Sequence, residues 1–295
     1  MGMRIAAGGL TLELAPEYGG AVAAFRLERP EGAVDLLRPM RQPGALHAGS
    51  FPMVPFANCI RDNSFRFEDI DYRVSSNMEG TRLNFHGSGW QSAWWVAGSE
   101  ADSVLLRLED GRVDDVYRFA CEQRFRLLPD RLIIDTLLIN RGARTMPFSF
   151  GHHPWFPTHG NMLARFDAAG IWHCDAEGQA LRHDAITADD DYGAPRPPPT
   201  EYLNKCFSGW SGCADITWPD LGIGLRLEAH PLFRHLMAHV PMDGQPVFCL
   251  EPQTNAPCAF DGLERGEFQP GVIVLAPGES VAAGLQIHVQ RDSNN

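Results

Sequence analysis

The chain has 295 residues, a formal net charge of −12 and 44% hydrophobic residues. This acidic balance argues against a nucleic-acid groove or an anionic membrane surface, because both favour clustered positive charge. Arginine supplies all but one of the 25 basic residues, and the single lysine, Lys205, is not part of the Gly-Lys-Ser/Thr sequence that a phosphate-binding loop requires.

The sequence contains neither a long apolar run nor paired cysteines. No apolar stretch reaches the roughly 18 residues of a membrane span, and the first residues lack a signal-peptide core. Seven cysteines are scattered without a C-x-x-C pair, which is typical of reduced thiols in a cytoplasm. We therefore expect a cytoplasmic protein with no membrane partner.

Alternating apolar and polar residues predict strands along the chain. In Phe65–Val74 the alternation changes register across Glu68 and Asp69, which predicts a tight hairpin. Tyr117–Leu127 alternates apolar with charged residues, as in a half-buried antiparallel strand. Arg131–Asn140 is apolar enough to predict a strand buried on both faces, and Val281–Val289 alternates again.

The remaining composition supports an all-β protein. Helical periodicity over ten or more residues is absent, and 29 Gly and 22 Pro are spread along the chain as turn residues. These features predict a large antiparallel β-sandwich or barrel with few short helices. Pro195–Thr200 is too short for a domain linker, so we expect one domain over residues 1–295.

Three short segments carry polar side chains suited to binding or catalysis next to glycine, proline or aromatic residues. The first is Asn84–Trp90, in which His86 precedes two glycines that leave room for a ligand near the backbone. Trp90 offers a flat apolar face on which a sugar ring could stack. The alternative is a glycine-rich turn with a structural histidine.

The second segment is Ser149–Pro157, which contains two adjacent histidines. Pro154 favours an extended backbone at His153, and the aromatic residues that follow would exclude water. Because neighbouring side chains of extended backbone point to opposite sides, at most one of His152 and His153 is expected to be catalytic. A buried structural histidine is again the alternative.

The third segment, Phe248–Pro257, places a carboxylate at the end of an apolar strand. Partial burial of Glu251 would raise its pKa toward that of a useful general base; a strand-end ion pair is the alternative. His235 and His239 nearby have a spacing seen in metal sites. On a strand they would lie about 13 Å apart, too far to share one ion, so we expect no metal.

These segments, in this order, resemble the aldose 1-epimerase (galactose mutarotase) family. Leu10–Phe25 resembles the opening strands and Gly-Gly turn of that family, Phe51–Arg61 its Pro-Phe-x-Asn-Arg-Ile segment, and Tyr202–Gly212 a stretch that usually carries an Asp before Cys-Phe. The Phe65–Val74 hairpin occurs at the expected place. The resemblance covers nearly the whole chain and implies a galactose mutarotase-like supersandwich with a sugar cleft on one sheet.

The resemblance also implies a reaction and its residues. The family interconverts the α and β anomers of free aldoses without a metal or another cofactor. Carried over by motif, Glu251 is the general base for the anomeric hydroxyl, and His153 is the general acid for the ring oxygen. The resemblance makes His86 a second binding or polarising histidine, and we also expect Asn58, Trp90, Arg61 and Asn204 to bind the substrate.

Two departures from the family pattern concern sugar binding. Cys59 stands where the family has an arginine; Arg61, two residues further on, would share its face of a strand and reach the same pocket. Asn204 stands where the family has an aspartate, with Lys205 beside it. We therefore expect a more positive pocket than is usual, suited to an anionic sugar.

Two other functions stay open from the sequence. A non-catalytic sugar-binding protein could share the fold, and a hexose-phosphate 1-epimerase would need a cationic cluster at the cleft mouth. In each case the expected partner is a small-molecule sugar, and nucleic acid is not expected. The expected assembly is a monomer or a homodimer.

Overall fold

A computed structural model describes residues 3–266 and 271–291 of the chain. The strands, numbered in chain order, are β1 Met3–Ala7, β2 Leu10–Ala15, β3 Ala21–Leu27, β4 Val34–Leu37, β5 Pro52–Met53, β6 Ser64–Phe67, β7 Ile70–Arg73, β8 Trp95–Ser99, β9 Ser103–Val113, β10 Tyr117–Leu128, β11 Arg131–Asn140, β12 Met146–Phe148, β13 Gly151–His152, β14 Trp155–Pro157, β15 Leu163–Phe166, β16 Gly170–Cys174, β17 Ala180–Ala185, β18 Leu203–Ser208, β19 Cys213–Trp218, β20 Ile223–Ala229, β21 His235–Val240, β22 Val247–Gln253, β23 Ile273–Leu275 and β24 Ser280–Arg291.

Helical structure in the described residues is limited to 3-10 turns of three residues each. They are Ala45–His47, Arg61–Asn63, Gly89–Gln91, Pro219–Leu221 and Leu263–Arg265. The predicted all-β class with few short helices is confirmed. Within residues 3–266 and 271–291, no helix has the length and hydrophobicity needed to cross a membrane.

Two large antiparallel sheets organise the chain. The first has the strand order β15-β19-β20-β24-β11-β10-β9-β8. The second has the order β17-β16-β18-β21-β22-β13-β5, and β14 also pairs with β22. Strands β1 to β4 form a smaller sheet, while β6 with β7 and β12 with β23 form two short ribbons.

The two large sheets bury their inner faces in one hydrophobic cluster. Leu225 and Ile287 of the first sheet belong to it together with Leu236 and Phe248 of the second sheet. Because side chains alternate across a strand, the residues between these core positions on β21 and β22 lie on the opposite face. That outer face of the second sheet is the one that carries the candidate site.

The predicted opening strands and the predicted hairpin are both present. Strands β2 and β3 flank a turn in which Gly19 and Gly20 have positive φ angles. In the β6–β7 hairpin, Phe67 pairs with Ile70 across Glu68 and Asp69. Both turn residues have positive φ angles, 47° and 60°, as a two-residue turn between right-twisted strands requires.

Strand β11 differs from its prediction. Alternation in β10 and β24 is as expected, but β11 is not buried on both faces: Asp135 is exposed, and Leu137 and Ile139 are only half-buried. The outer face of the first sheet carries charged side chains, and Arg126 forms an ion pair with Asp135 at 3.1 Å. Solvent therefore reaches this face, and its apolar residues are only partly covered.

Candidate active site

Three neighbouring strands of the second sheet build the floor of a cleft. Asn204 on β18 pairs with His239 on β21, and Met237 on β21 pairs with Glu251 on β22. This register places the four side chains on one face of the sheet. They line a cavity of about 780 Å³, within the range of about 300–1,000 Å³ that small-molecule sites occupy.

Glu251 and His153 are in direct contact at the cleft floor. Glu251 Oε1 lies 3.2 Å from His153 Nε2, and the two residues are 2% and 7% exposed. Burial raises the pKa of Glu251 well above its usual value. Burial, helped by the nearby His86, His239 and Arg38, lowers the pKa of His153 well below that of a free histidine. Both shifts favour the uncharged forms, so the carboxylate–imidazolium pair is the higher-energy protonation state of the two groups.

Aromatic rings fix the orientation of the His153 imidazole. Its ring lies parallel to that of Trp155, with centroids 4.9 Å apart, and Phe51 covers it at 4.7 Å. Arg38 packs on the ring of Trp155, 3.8 Å from the centroid, and donates hydrogen bonds to the carbonyls of Ala48 and Leu46. The imidazole can therefore keep its Nε2 atom directed at Glu251.

His86 reaches the cleft from the glycine-rich segment, and its tautomer is set by the backbone. The peptide N–H of Asn58 donates to His86 Nδ1 at 3.1 Å, so Nδ1 is the acceptor. Burial lowers the pKa of His86 to about 3, which keeps the ring neutral. In a neutral imidazole whose Nδ1 accepts, the proton resides on Nε2, so His86 can donate a hydrogen bond through that atom.

The adjacent histidines point to opposite sides of the chain, as expected. His153 lines the cleft, whereas His152 Nε2 lies 3.1 Å from the hydroxyl of Thr136 on β11 of the other sheet. His152 is 1% exposed, and burial lowers its pKa to about 4. His152 is therefore a neutral, hydrogen-bonded core residue between the sheets.

The structure brings six of the seven expected site residues to this one cleft. They are Glu251, His153, His86, Trp90, Asn58 and Asn204. Trp90 donates its indole N–H to the carbonyl of Phe85, which leaves its apolar ring surface for the cleft. Asn58 donates its side-chain amide to Gln253 at 2.6 Å, and Asn204 Oδ1 lies 3.3 Å from His239 Nδ1.

The expectation for Arg61 is wrong, because it is not on a strand and does not line the cleft. Arg61 begins a 3-10 turn, and its guanidinium donates to Asp261 and to the carbonyl of Ala180, both at 2.6 Å. Cys59 does not line the cleft either; its side chain is buried, and its thiol packs on that of Cys258. Neither residue contributes a side chain to the cavity.

The expected positive pocket is not present either. Lys205, next to Asn204, forms an ion pair with Asp190 at 2.5 Å and is not a lining residue. Among the described lining residues the one arginine, Arg82, is paired with the carboxylate of Glu177 at 2.7 Å. Alternation along β18 directs neighbouring side chains to opposite faces, so the charge of Lys205 does not reach the site.

Sequence reasoning missed two side chains of the cleft. His239 lies beside Asn204 and 6.4 Å from the ring of His153, between centroids. In the sequence, its spacing from His235 resembles only that of a metal site. Trp155 was expected only to exclude water, yet its indole Nε1 is buried without a hydrogen-bond partner beside the cleft. Unpartnered buried donors are rare in folded proteins and indicate a group that a ligand can use.

Within the part of the chain that the structure describes, one group of side chains has donor atoms close enough for a metal ion. Donor atoms of His153, Cys249 and Glu251 lie within 4.8 Å of one another. The Cys249 thiol must lose its proton before it can bind a metal, and burial raises its pKa well above the usual range. The arrangement of His153 and Glu251 accordingly fits proton transfer better than metal binding.

Comparison with known proteins places these observations in a family context. A family profile described as "Aldose 1-epimerase" matches residues 4–288. An uncharacterised protein of Escherichia coli (strain K12), YphB, is 31% identical over 291 residues, which cover 96% of this chain and 97% of that protein.

Solved structures agree with the sequence matches. A candidate aldose 1-epimerase from Escherichia coli K12 superposes with a TM-score of 0.91 at 29% identity and covers 99% of each chain. A galactose mutarotase-like protein from Clostridium acetobutylicum gives a TM-score of 0.85 at 20% identity, with 98% of this chain and 94% of that chain covered. The predicted mutarotase-like fold is confirmed.

Proposed function

The chain belongs to the aldose 1-epimerase family, and from this membership we propose that it interconverts the α and β anomers of a neutral sugar, with Glu251 as the general base and His153 as the general acid. The observation that carries the proposal is the direct contact between the two groups, 3.2 Å apart at the floor of the cleft. Glu251 removes the proton of the anomeric hydroxyl, and His153 protonates the ring oxygen.

The short separation suits this reaction. The anomeric oxygen and the ring oxygen are bonded to the same carbon, so an acid and a base that act on them must be close neighbours. Proton transfer requires each group to come within hydrogen-bond reach of its oxygen. Glu251 and His153 can meet this condition together when a sugar lies over the point where they touch.

The same pair conserves its protons through the cycle. Ring opening transfers one proton to Glu251 and one from His153, so a carboxylate and an imidazolium become a carboxylic acid and a neutral imidazole. Reclosure of the ring after rotation about the C1–C2 bond reverses both transfers. Burial favours the uncharged partners, and therefore stabilises the protonation state that accompanies the open-chain aldehyde.

The surrounding side chains would bind the hydroxyl groups and the ring face. His86 donates through Nε2, Asn204 and His239 supply paired polar groups, and Trp155 has a free indole N–H. Trp90 offers an apolar surface for the C–H face of the ring. These donors are uncharged, the lining arginine Arg82 is neutralised by Glu177, and Asp243 adds a carboxylate to the lining. This lining favours a neutral sugar over an anionic one.

The experiment is measurement of anomer exchange by NMR across a panel of neutral hexoses and pentoses, uronates and hexose phosphates. We expect enhanced exchange for at least one neutral sugar, slower turnover of every anionic one, and loss of the enhancement in Glu251→Gln. A panel without enhanced exchange would refute the proposal, and binding by calorimetry in that case would support a non-catalytic sugar-binding protein. Faster turnover of an anionic sugar would refute the substrate assignment alone.

A further inference from the structure

Two cysteines that are far apart in sequence form a close pair beneath the cleft. Cys59 and Cys258 are separated by 199 positions, yet their Sγ atoms lie 3.9 Å apart. The peptide N–H of Cys258 donates to the carbonyl of Cys59 at 3.1 Å, so the two backbones are already adjacent. Both residues are free thiols and at most 3% exposed.

The pair connects the two segments that support the site. Cys59 follows Asn58, whose peptide N–H orients His86. Cys258 follows the segment that continues from strand β22, and there Asn255 donates to the carbonyl of Ala57 at 3.3 Å. Neither thiol lines the cleft, so the proton transfers described above do not use them.

The surroundings of the two sulfurs are unequal. A hydrogen bond from the Cys59 thiol lowers the pKa of Cys258, and the peptide N–H of Ala180 and the charge of Arg61 act in the same direction against burial. The pKa of Cys59 is raised, first by the same hydrogen bond and then by burial. Cys258 is therefore the thiol better able to react as a thiolate.

We propose that Cys59 and Cys258 form an intramolecular disulfide when the protein meets a hydroperoxide, and that this bond braces the two segments under the cleft. The Cys258 thiolate attacks a peroxide oxygen, which breaks the O–O bond, forms a sulfenic acid and releases hydroxide. The Cys59 thiol then attacks the Cys258 sulfur, and water leaves. In total two thiols and one hydrogen peroxide give a disulfide and two waters.

We expect the bond to close without moving the cleft. The two backbones are hydrogen-bonded and the sulfurs are 3.9 Å apart, so a small side-chain rotation should bring them to the roughly 2.05 Å of a disulfide. The nearby ion pair of Arg61 and Asp261 has side chains that are 38% and 40% exposed, and we expect hydrogen peroxide to approach Cys258 from that side. We expect the oxidised protein to unfold several degrees higher, because the bond closes a long loop.

The test is cysteine mapping of the full chain before and after treatment with hydrogen peroxide. Free thiols are blocked, the protein is digested at arginine and lysine, and peptides 42–61 and 235–265 are sought as a cross-linked species. We expect a cross-link about 2 Da lighter than the two reduced peptides, with fragment ions that place it at Cys258 rather than Cys249. Dithiothreitol should remove both the cross-link and the rise in melting temperature.

Single variants assign the two roles. In Cys59→Ser, Cys258 should stop at the sulfenic acid and be trapped by a cyclic 1,3-diketone; in Cys258→Ser, Cys59 should stay unmodified. Cys174→Ser is the matched control and should retain the cross-link. Two results with the wild-type protein would overturn the proposal: loss of free thiols without this cross-link, or a cross-link to Cys174 instead. The proposal would also fail if no thiol of the protein were oxidised under conditions that oxidise free glutathione.

The effect on anomer exchange rests on the proposed function and is measured separately. If the disulfide leaves the cleft in place, the oxidised protein should exchange anomers within about two-fold of the rate of the reduced protein. A loss of more than ten-fold that dithiothreitol reverses would overturn the bracing role. Absence of exchange in both forms would refute the proposed function and leave the cross-link result intact.

Discussion

Replacement of Glu251 by glutamine should separate activity from stability. The variant keeps the shape of the side chain and one hydrogen bond to His153, but it cannot accept the proton of the anomeric hydroxyl. Positioned acid–base groups contribute about 10²–10⁴-fold to a rate. We therefore expect the enzymatic exchange rate to fall by that factor, which corresponds to about 2.7–5.4 kcal/mol of barrier.

The same substitution should stabilise the fold at neutral pH. Glu251 is 2% exposed, and burial raises its pKa well above the unfolded value near 4.5. Its contribution to the free energy of unfolding is fully present below pH 4.5. It is lost as the pH rises from there through the folded pKa, because the carboxyl of the unfolded chain ionises while the buried carboxyl resists ionisation. Glutamine avoids this cost, and replacement of buried ionic groups has stabilised other proteins by about 1–4 kcal/mol.

Urea unfolding followed by circular dichroism at pH 5 and pH 8 tests the stability part. The free energy of unfolding of Glu251→Gln should exceed that of the wild-type protein at pH 8, by a margin that narrows at pH 5. Glu228→Gln is the matched control, because Glu228 is a half-exposed carboxylate paired with Arg226 on the other sheet. A variant that keeps full exchange activity, or that is less stable than the wild-type protein at pH 8, would refute the reasoning.

Four further outcomes follow from the geometry. The exchange rate should have a bell-shaped pH profile, since Glu251 and His153 must hold one proton between them. The lowered pKa of His153 places the acid limb of this profile below about pH 6.5. An acid limb centred above that pH would contradict this assignment. Trp155→Phe should raise KM about five- to ten-fold with little change in kcat, because it removes one unpartnered donor worth about 1 kcal/mol; an unchanged KM would exclude the contact. Arg61→Gln should leave KM within two-fold of the wild-type value in the same NMR assay, since the Arg61 guanidinium is held outside the cleft. A large rise in KM would show that Arg61 contacts the sugar. The His152 ring, with its pKa lowered to about 4, should cost the wild-type protein about 2 kcal/mol of stability between pH 8 and pH 5 as the unfolded histidine gains its proton; His152→Gln should lack this part of the slope in urea titrations, and an equal slope would count against it.

Local patterns in the sequence were sufficient for the elements and for much of the site. The alternation in Tyr117–Leu127 depends only on successive side chains pointing to opposite faces, which backbone geometry dictates. The same rule separated His153 from His152, and the structure places these two on opposite sides. The hairpin at Glu68 and Asp69 followed from a change of register that a two-residue turn produces.

Expectations that depended on charge partners were wrong. Arg61 is expected near the sugar because a strand would place it on the face of Cys59, and Lys205 because it follows Asn204; Arg61 instead begins a 3-10 turn. Arg61 forms an ion pair with Asp261, and Lys205 forms one with Asp190. Asp261 lies 200 positions from Arg61 in the sequence. An ion pair forms wherever the fold brings opposite charges together, and the sequence near Arg61 holds no information about that partner.

The sequence by itself determined several of the strands, the apolar faces of β10 and β24, and which residue types could perform acid–base chemistry. Only the tertiary structure decided which of these residues meet: Glu251 with His153, His239 with Asn204, and Cys59 with Cys258. The physical reason is the distance along the chain over which each effect acts. Alternation and turn geometry are set by sterics within a few residues, whereas the order and register of strands β18, β21 and β22 depend on burial of the whole inner face, to which residues along the entire chain contribute.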